Sequence, residues 1–167
     1  HPPFHGPTMK AVILAGGDGT RLRSITKMIA GDDRPKQFCS IMDDESLLDK
    51  TRLRIVREVP AENTFFSLTE KHERFYNASL DEVPDRLKVI QPEARGTAPA
   101  ILYSLLRIAE TNPAATVAFF PSDHYFSDDH AFMSYVASAF DVVKTDSSSI
   151  VLLGIERSQH VGKGGGH

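Results

Sequence analysis

The sequence predicts an α/β fold in which a mostly parallel sheet lies between two layers of helices. Short apolar segments alternate with segments of helical periodicity along the chain, which is the pattern of repeated strand–helix–strand units. Glycine-rich or polar segments follow three of the predicted strands, and open parallel sheets bind ligands beyond the carboxyl ends of their strands. The 167 residues suffice for one domain with a substantial core.

Five apolar segments are predicted to form the strands. Each is four to six residues long, as buried strands commonly are, and polar or turn-forming residues bound most of them. The predicted strands cover residues 11–15, 64–68, 87–90, 117–120 and 149–154.

Three helices are predicted between or after these strands. In the first, Ser46 precedes an apolar pattern and Asp49 stands three residues later, a spacing that favours a capping box. Each helix carries one apolar stripe, which we expect to face the core. The stripes consist of Leu47, Leu48, Thr51, Ile55 and Val59; of Ile101, Leu102, Leu105, Ile108 and Ala109 in a helix over residues 97–110; and of Phe132, Val136, Phe140 and Val143 in a helix over residues 131–144.

Composition and charge favour a globular protein of the cytoplasm. The net charge of −3 predicts no general attraction to nucleic acid or to an anionic membrane surface. No apolar run approaches the ~18 residues that a membrane span needs. Cys39 is the single cysteine, which excludes an internal disulfide and fits a reducing compartment.

The composition divides the chain into three parts. Residues 1–9 lack the apolar run of a signal peptide and are expected to be a disordered tail or a remnant of cloning. Residues 10–156 form the single predicted domain. The glycine-rich residues 157–167 are expected to be a flexible tail.

A glycine-rich turn follows the first predicted strand. Gly16, Gly17 and Gly19 let the backbone approach a ligand, and Arg21 can grip phosphate with two parallel hydrogen bonds. A strand, a loop with free N–H groups and a cation together predict a polyphosphate site. Leu22 stands where a dinucleotide fingerprint needs its third glycine, and no Gly-Lys pair follows the loop as a P-loop requires.

The segment AGGDGTRL, followed by RPKQF, resembles the signature of the sugar-phosphate nucleotidyltransferases, or NDP-sugar pyrophosphorylases. The segments ESLL, QPEARGTAPAI and PSDH strengthen the resemblance, which is greatest to the mannose-1-phosphate guanylyltransferases and covers roughly residues 10–156. The resemblance implies the nucleotide-diphospho-sugar transferase fold, a three-layer sandwich with a Rossmann-like sheet. The C-terminal part of that fold is expected to be missing here.

The same resemblance implies an enzyme that transfers a nucleoside monophosphate, preferably GMP, from a nucleoside triphosphate to a hexose 1-phosphate. Mannose 1-phosphate is the preferred acceptor, Mg²⁺ is the expected cofactor, and in-line attack releases pyrophosphate. Two alternatives stay open. One is a catalytically incomplete nucleotide-binding module, and the other is a uridylyl-, cytidylyl- or thymidylyltransferase of the same fold.

Three residues are expected to carry the chemistry. Arg21 suits the departing β- and γ-phosphates, and Lys36 suits the α-phosphate, where a compact ammonium can neutralise developing charge. Asp123 follows an apolar strand and suits Mg²⁺, which takes few carboxylates together with phosphate oxygens. His124 is expected to orient Asp123 rather than to bind the metal.

The nucleotide is expected to contact two segments of the chain. By resemblance, Gln91 and the residues from Gly96 to Ala98 read the base, since an amide can both donate and accept hydrogen bonds at a base edge. The expected nucleotide-binding residues are Leu14, Ala15, Gly16, Gly17, Gly19, Thr20, Gln91, Gly96, Thr97 and Ala98.

In the family that the chain resembles, residue 156 would lead into a second half that supplies sugar-binding loops and usually a second acidic metal ligand. That half does not follow in this sequence, so we expect slow turnover or none. Apolar surface beside the fifth predicted strand is expected to be exposed, and self-association into a homo-oligomer is therefore expected as well.

Overall fold

The computed structural model describes residues 8–19, 23–42, 44–124 and 126–154. These residues form six strands and five α-helices. The strands are β1 (Met9–Leu14), β2 (Ser40–Met42), β3 (Glu45–Ser46), β4 (Thr64–Thr69), β5 (Lys88–Gln91) and β6 (Thr116–Pro121). The helices are α1 (Arg23–Ala30), α2 (Leu47–Ile55), α3 (Glu73–Ser79), α4 (Thr97–Thr111) and α5 (Asp129–Thr145).

Four strands form one parallel sheet in the order β5-β4-β1-β6, and β2 pairs with β3 as a separate antiparallel hairpin. Leu14 of β1 pairs with Ser67 of β4 and with Pro121 of β6, so the carboxyl ends of these strands lie at the same edge. The first four predicted strands are confirmed. Strand β1 begins at Met9, where pairing with Thr116 extends the sheet one residue before the expected domain boundary.

Helices cover both faces of the sheet. Helices α2 and α3 lead to strands on one side of β1, whereas α4 returns from β5 to β6 on the other side. Because such connections are right-handed, α4 lies on the face opposite to α2 and α3. Helix α5 lies beside α2, where Arg54 Nε donates to Asp129 Oδ1 at 2.7 Å. The predicted three-layer α/β sandwich is therefore confirmed.

The predicted capping box begins α2. Ser46 Oγ accepts a hydrogen bond from the backbone N–H of Asp49, and Asp49 Oδ2 accepts one from the backbone N–H of Ser46, each at 3.1 Å. Helix α2 ends at Ile55, before the Val59 included in its predicted stripe, but the turn that follows keeps Val59 buried. Met133 of α5 is buried in the same apolar core as these residues of α2 and the turn after it.

The prediction of a strand over residues 149–154 is wrong. No strand is assigned to this segment, and Ile150 and Leu152 are 90% and 89% exposed. A short apolar segment becomes a strand only where a neighbour satisfies its backbone N–H and C=O groups. Among the described residues, no strand pairs with the segment.

The apolar stripe predicted on α4 is also largely wrong. Of its members only Ile108 is buried, Ile101 is partly exposed, and Leu102, Leu105 and Ala109 are exposed. In the part of the chain that the structure describes, α4 packs against the sheet through one narrow line that also includes Ser104. Helical periodicity identified an amphipathic helix, but the width of the covered face depends on what packs against it.

In α5, the predicted stripe is confirmed at Val136 and Phe140, which are buried, while Phe132 and Val143 are partly exposed. The helix begins after Asp128, whose side chain accepts a hydrogen bond from the backbone N–H of Ala131 at 2.9 Å. None of the described helices is both long enough and apolar enough to cross a membrane.

Candidate functional site

A cleft of about 320 Å³ opens at the carboxyl ends of the parallel strands. Its walls come from the glycine loop after β1, the ends of β4 and β5, the start of α4 and the loop after β6. Eight of the expected site residues line it: Leu14, Gly16, Gly17, Gly19, Gln91, Gly96, Thr97 and Asp123. The parallel sheet thus brings together three loops that are far apart in the sequence.

Of the other five expected site residues, three are described and do not line this cleft. Thr20 and Arg21 lie outside the described residues. Ala15 is buried beneath the cleft. Lys36 is partly buried in a short 3-10 turn, and Ala98 is exposed in the first turn of α4.

Two glycines are required by the geometry of the loop after β1. A Cβ on Gly16 would lie 2.7 Å from Thr69 Oγ1, whose hydroxyl donates to the carbonyl oxygen of Gly16 at 2.6 Å. Gly19 has a φ of +61°, and a Cβ there would also lie 3.1 Å from the backbone nitrogen of Lys36. By contrast, a Cβ on Gly17 would meet no atom of the described residues within 4 Å. Close contacts therefore leave no room for a side chain at Gly16 or Gly19, at the two ends of the loop, whereas Gly17 between them is accessible. We call this segment the pinned glycine loop.

Gln37 is a site residue to which the sequence analysis assigned no role. It is buried, and its side-chain Nε2 donates to the carbonyl oxygens of Ala15 and Gly17, each at 2.9 Å. Both donors of the amide are used to hold the glycine loop. Its position beside Lys36 in the RPKQF motif could have identified it as a site residue, but only the fold shows which groups its amide contacts.

The loop after β6 is fastened to the end of β1. Ser122 Oγ donates to the carbonyl oxygen of Leu14 at 2.7 Å, which places the neighbouring Asp123 on the cleft wall. His124 Nδ1 lies 3.4 Å from Asp123 Oδ1, and both side chains are about half exposed. This contact is compatible with the expected orienting role of His124.

The cleft offers a divalent cation few protein ligands. Asp123 is the one carboxylate among the described residues of its walls. In the described parts of the chain, no three or more His, Cys, Asp or Glu side chains form a group that could hold a metal. Such a donor set fits Mg²⁺ that takes most of its oxygen ligands from phosphates and water, and does not fit a metal enclosed by protein.

The start of α4 also lines the cleft. Gly96, with a φ of +92°, precedes the first helical residue, Thr97, and none of the described side chains caps the helix there. The first N–H groups of α4 are therefore available to an anion or to a base edge. Gln91, at the end of β5, is partly buried and lines the same cleft.

A cluster behind the glycine loop was not predicted. Asp18 Oδ1 lies 2.6 Å from Lys71 Nζ and 3.2 Å from His72 Nε2. The contact with Lys71 holds the pKa of the Asp18 carboxyl below its ordinary value, and burial opposes this shift. Burial also lowers the pKa of His72, against the attraction of Asp18. The His72 Nδ1 atom is buried and has no hydrogen-bond partner among the described residues.

The class of protein follows from comparison with known families. Residues 10–162 match the family model described as nucleotidyl transferase. The match covers most of the chain, so the chain belongs to the nucleotidyl transferase family.

Two curated relatives are similar to this chain over most of its length. The xanthan biosynthesis protein XanB of Xanthomonas campestris pv. campestris is 29% identical over 147 residues, covering 87% of this chain and 30% of the relative. A mannose-1-phosphate guanylyltransferase of Escherichia coli K12 is 28% identical over 150 residues, covering 86% of this chain and 30% of that protein. This chain thus spans about 30% of the length of these curated relatives.

Two solved structures share the fold. A Thermus thermophilus protein titled mannose-1-phosphate geranyltransferase superposes with a TM-score of 0.69 at 28% identity, covering 81% of this chain and 38% of that one. A Helicobacter pylori protein titled mannose-6-phosphate isomerase gives a TM-score of 0.60 at 22% identity, covering 83% of this chain and 47% of that one. The second likeness bears on the fold alone.

Proposed function

We propose that this chain binds Mg²⁺·GTP and forms the nucleotide-binding part of an enzyme that transfers GMP to mannose 1-phosphate. One observation carries the proposal: a pinned glycine loop, an uncapped helix start and a carboxylate converge on one cleft. Backbone N–H groups and a helix N-terminus favour phosphate, and the carboxylate suits a cation bound with it. The single cysteine, Cys39, fits the cytoplasm as the place of this reaction.

The proposed reaction needs positioning more than proton transfer. The attacking sugar phosphate is already an anion, so the protein must offset charge repulsion and align the attack on the α-phosphorus. The loop from Gly16 to Gly19 would bind the triphosphate through its N–H groups, with Arg21 on the β- and γ-phosphates and Lys36 near the α-phosphate. Bound Mg²⁺, held by Asp123, would supply charge neutralisation at the phosphate oxygens.

Guanine is the proposed base. Gln91 and Gly96 line the same cleft as the glycine loop, where an amide and an exposed backbone could contact a base edge. The relatives named as mannose-1-phosphate guanylyltransferases support this choice and the choice of mannose 1-phosphate. The alternative is uridylyl, cytidylyl or thymidylyl transfer on the same fold. The base of the triphosphate that binds most tightly distinguishes it from guanylyl transfer.

A nucleotide-binding module without turnover is the second candidate. It is favoured by the single carboxylate on the described cleft walls, because the family resemblance implies a second acidic metal ligand that these walls do not supply. Pyrophosphate release separates the two candidates. A chain that binds Mg²⁺·GTP but releases no pyrophosphate with mannose 1-phosphate would be the module.

Calorimetric titration with the four nucleoside triphosphates tests the binding proposal. We expect GTP to bind most tightly and only with Mg²⁺, and Asp123→Asn to weaken Mg²⁺·GTP binding roughly tenfold or more, as loss of a metal ligand does. Asp141→Asn, on the exposed side of α5, is the matched control and should bind as the unaltered chain does. If none of the triphosphates bound, the proposal would be contradicted. If UTP or dTTP bound more tightly than GTP, the proposed base would no longer be guanine.

A further inference from the structure

Asp18 presents an electrostatic problem for a triphosphate site. It lies in the middle of the glycine loop, between Gly17 and Gly19, which both line the cleft. A free carboxylate there would repel the phosphates, because like charges a few ångströms apart destabilise each other. Asp18 itself is absent from the cleft walls, so the loop presents its backbone to the cleft and turns this side chain away.

The residues that receive the Asp18 side chain follow β4 directly. Lys71 and His72 belong to the short 3-10 turn Glu70–His72, and Asp18 Oδ1 is buried between them at 2.6 Å from Lys71 Nζ and 3.2 Å from His72 Nε2. The last residue of β4, Thr69, holds the same loop through its bond to Gly16. One segment therefore fastens the loop at two points.

The two partners contribute differently. The side chain of His72 is only 7% exposed and lies edge-on to Phe38 with ring centroids 6.3 Å apart, so its position is set by packing. Lys71 is about half exposed and carries the charge that balances the carboxylate. Burial disfavours a charged imidazole, so the neutralisation comes from Lys71, while His72 provides a buried side chain in contact with Asp18 Oδ1.

We propose that Lys71 and His72 are positioning residues, which hold Asp18 away from the cleft and neutralise it so that the backbone of the glycine loop can accept a triphosphate. The inference rests on the proposed function, since it names what makes the same cleft suitable for an anion. It assigns Lys71 no contact with the nucleotide.

A cycle of charge variants tests this assignment by Mg²⁺·GTP calorimetry. Lys71→Met frees the carboxylate and should weaken binding about fivefold to tenfold, whereas Asp18→Asn, which keeps shape and removes charge, should change it less than about twofold. The double variant should bind like Asp18→Asn alone. Lys144→Met, which removes an exposed lysine at the end of α5, is the control for loss of one positive charge.

The pattern across the cycle separates the explanations. Equal weakening by Lys71→Met with and without Asp18→Asn would mean that Lys71 contacts phosphate directly, and would overturn the inference. Unchanged binding in Lys71→Met would overturn it as well, while the proposed function would stand. If the unaltered chain binds no triphosphate, the proposed function fails and the inference falls with it. GMP binding, which engages fewer phosphates, should respond less to Lys71→Met than GTP binding does.

Discussion

The two faces of the central sheet differ in how completely their helices are packed. On one face, α2 and α5 bury Leu48, Ile55 and Met133 almost completely. On the other face, α4 leaves Leu102 60% exposed and Leu106 58% exposed. We call the first the closed face and the second the open face. Exposed apolar side chains occur on both, including Leu53 of α2 and Tyr135 of α5, but of the large apolar side chains of α4 only Ile108 is buried.

Apolar residues therefore have two different environments in this domain: the core under the closed face, and the solvent-exposed surface of the open face. A helix that is apolar on several sides is typical of a helix covered on more than one side, and the described residues cover α4 only where it meets the sheet. Stability should therefore depend on the α2–α5 face, and association on the outer surface of α4. Four substitutions test the contrast.

The largest effect is expected in the closed face. Leu48→Ala should lower the free energy of unfolding by about 2–5 kcal/mol, because it removes buried methyl groups and leaves a cavity. Leu102→Ala on α4 is the matched control and should cost less than about 1 kcal/mol, since that side chain is mostly in water already. Urea denaturation measures both. Similar losses in the two variants would show that the faces do not differ in this way.

A somewhat smaller effect is expected where α5 meets α2. The side chain of Arg54 is 3% exposed, pairs with Asp129 at 2.7 Å and lies 4.6 Å from the centre of the Phe126 ring. Asp129→Ala leaves this guanidinium buried without its carboxylate and should cost about 3 kcal/mol.

Asp141→Ala, at an exposed position of the same helix, is the control and should change stability by less than about 0.5 kcal/mol. Thermal and urea unfolding of both variants compare them. A loss in Asp129→Ala no larger than in this control would mean that Arg54 reaches water or another partner when the pair is broken.

Loss of the α2 cap should be smaller again. Ser46→Ala removes the side-chain acceptor of the capping box and should lower stability by about 1 kcal/mol. Ser138→Ala, in the exposed middle of α5, serves as the comparison and should not destabilise the domain, because alanine is the better helix former there. If both serine substitutions cost the same in denaturation, the cap does not contribute specifically.

The smallest stability effect is expected on the open face. Leu106→Gln should change the free energy of unfolding by less than about 0.5 kcal/mol, since the side chain is already exposed. Light scattering should nevertheless show less self-association than in the unaltered chain, because the variant removes exposed apolar surface. If the unaltered chain were monomeric at every concentration measured, the open face would have no role in association.

Local patterns in the sequence were sufficient for much of the fold. The capping box needs only Ser46 and Asp49 three residues apart, and both of its hydrogen bonds form as predicted. The four parallel strands lie where short apolar segments ended in turn residues. Their parallel arrangement also explains why Gly17 and Asp123, far apart in the chain, share a cleft. Their roles in binding remain predictions.

What the sequence could not decide depends on neighbours that are distant in the chain. The contacts of Gln37 with the glycine loop, and of Lys71 and His72 with Asp18, follow from turns that only the folded sheet brings together. The same reason explains the two errors at apolar segments. Amphipathicity predicted burial for one side of α4, and a continuous apolar run predicted it for residues 149–154. Burial requires a second surface, however, and a pattern within one segment carries no information about that surface.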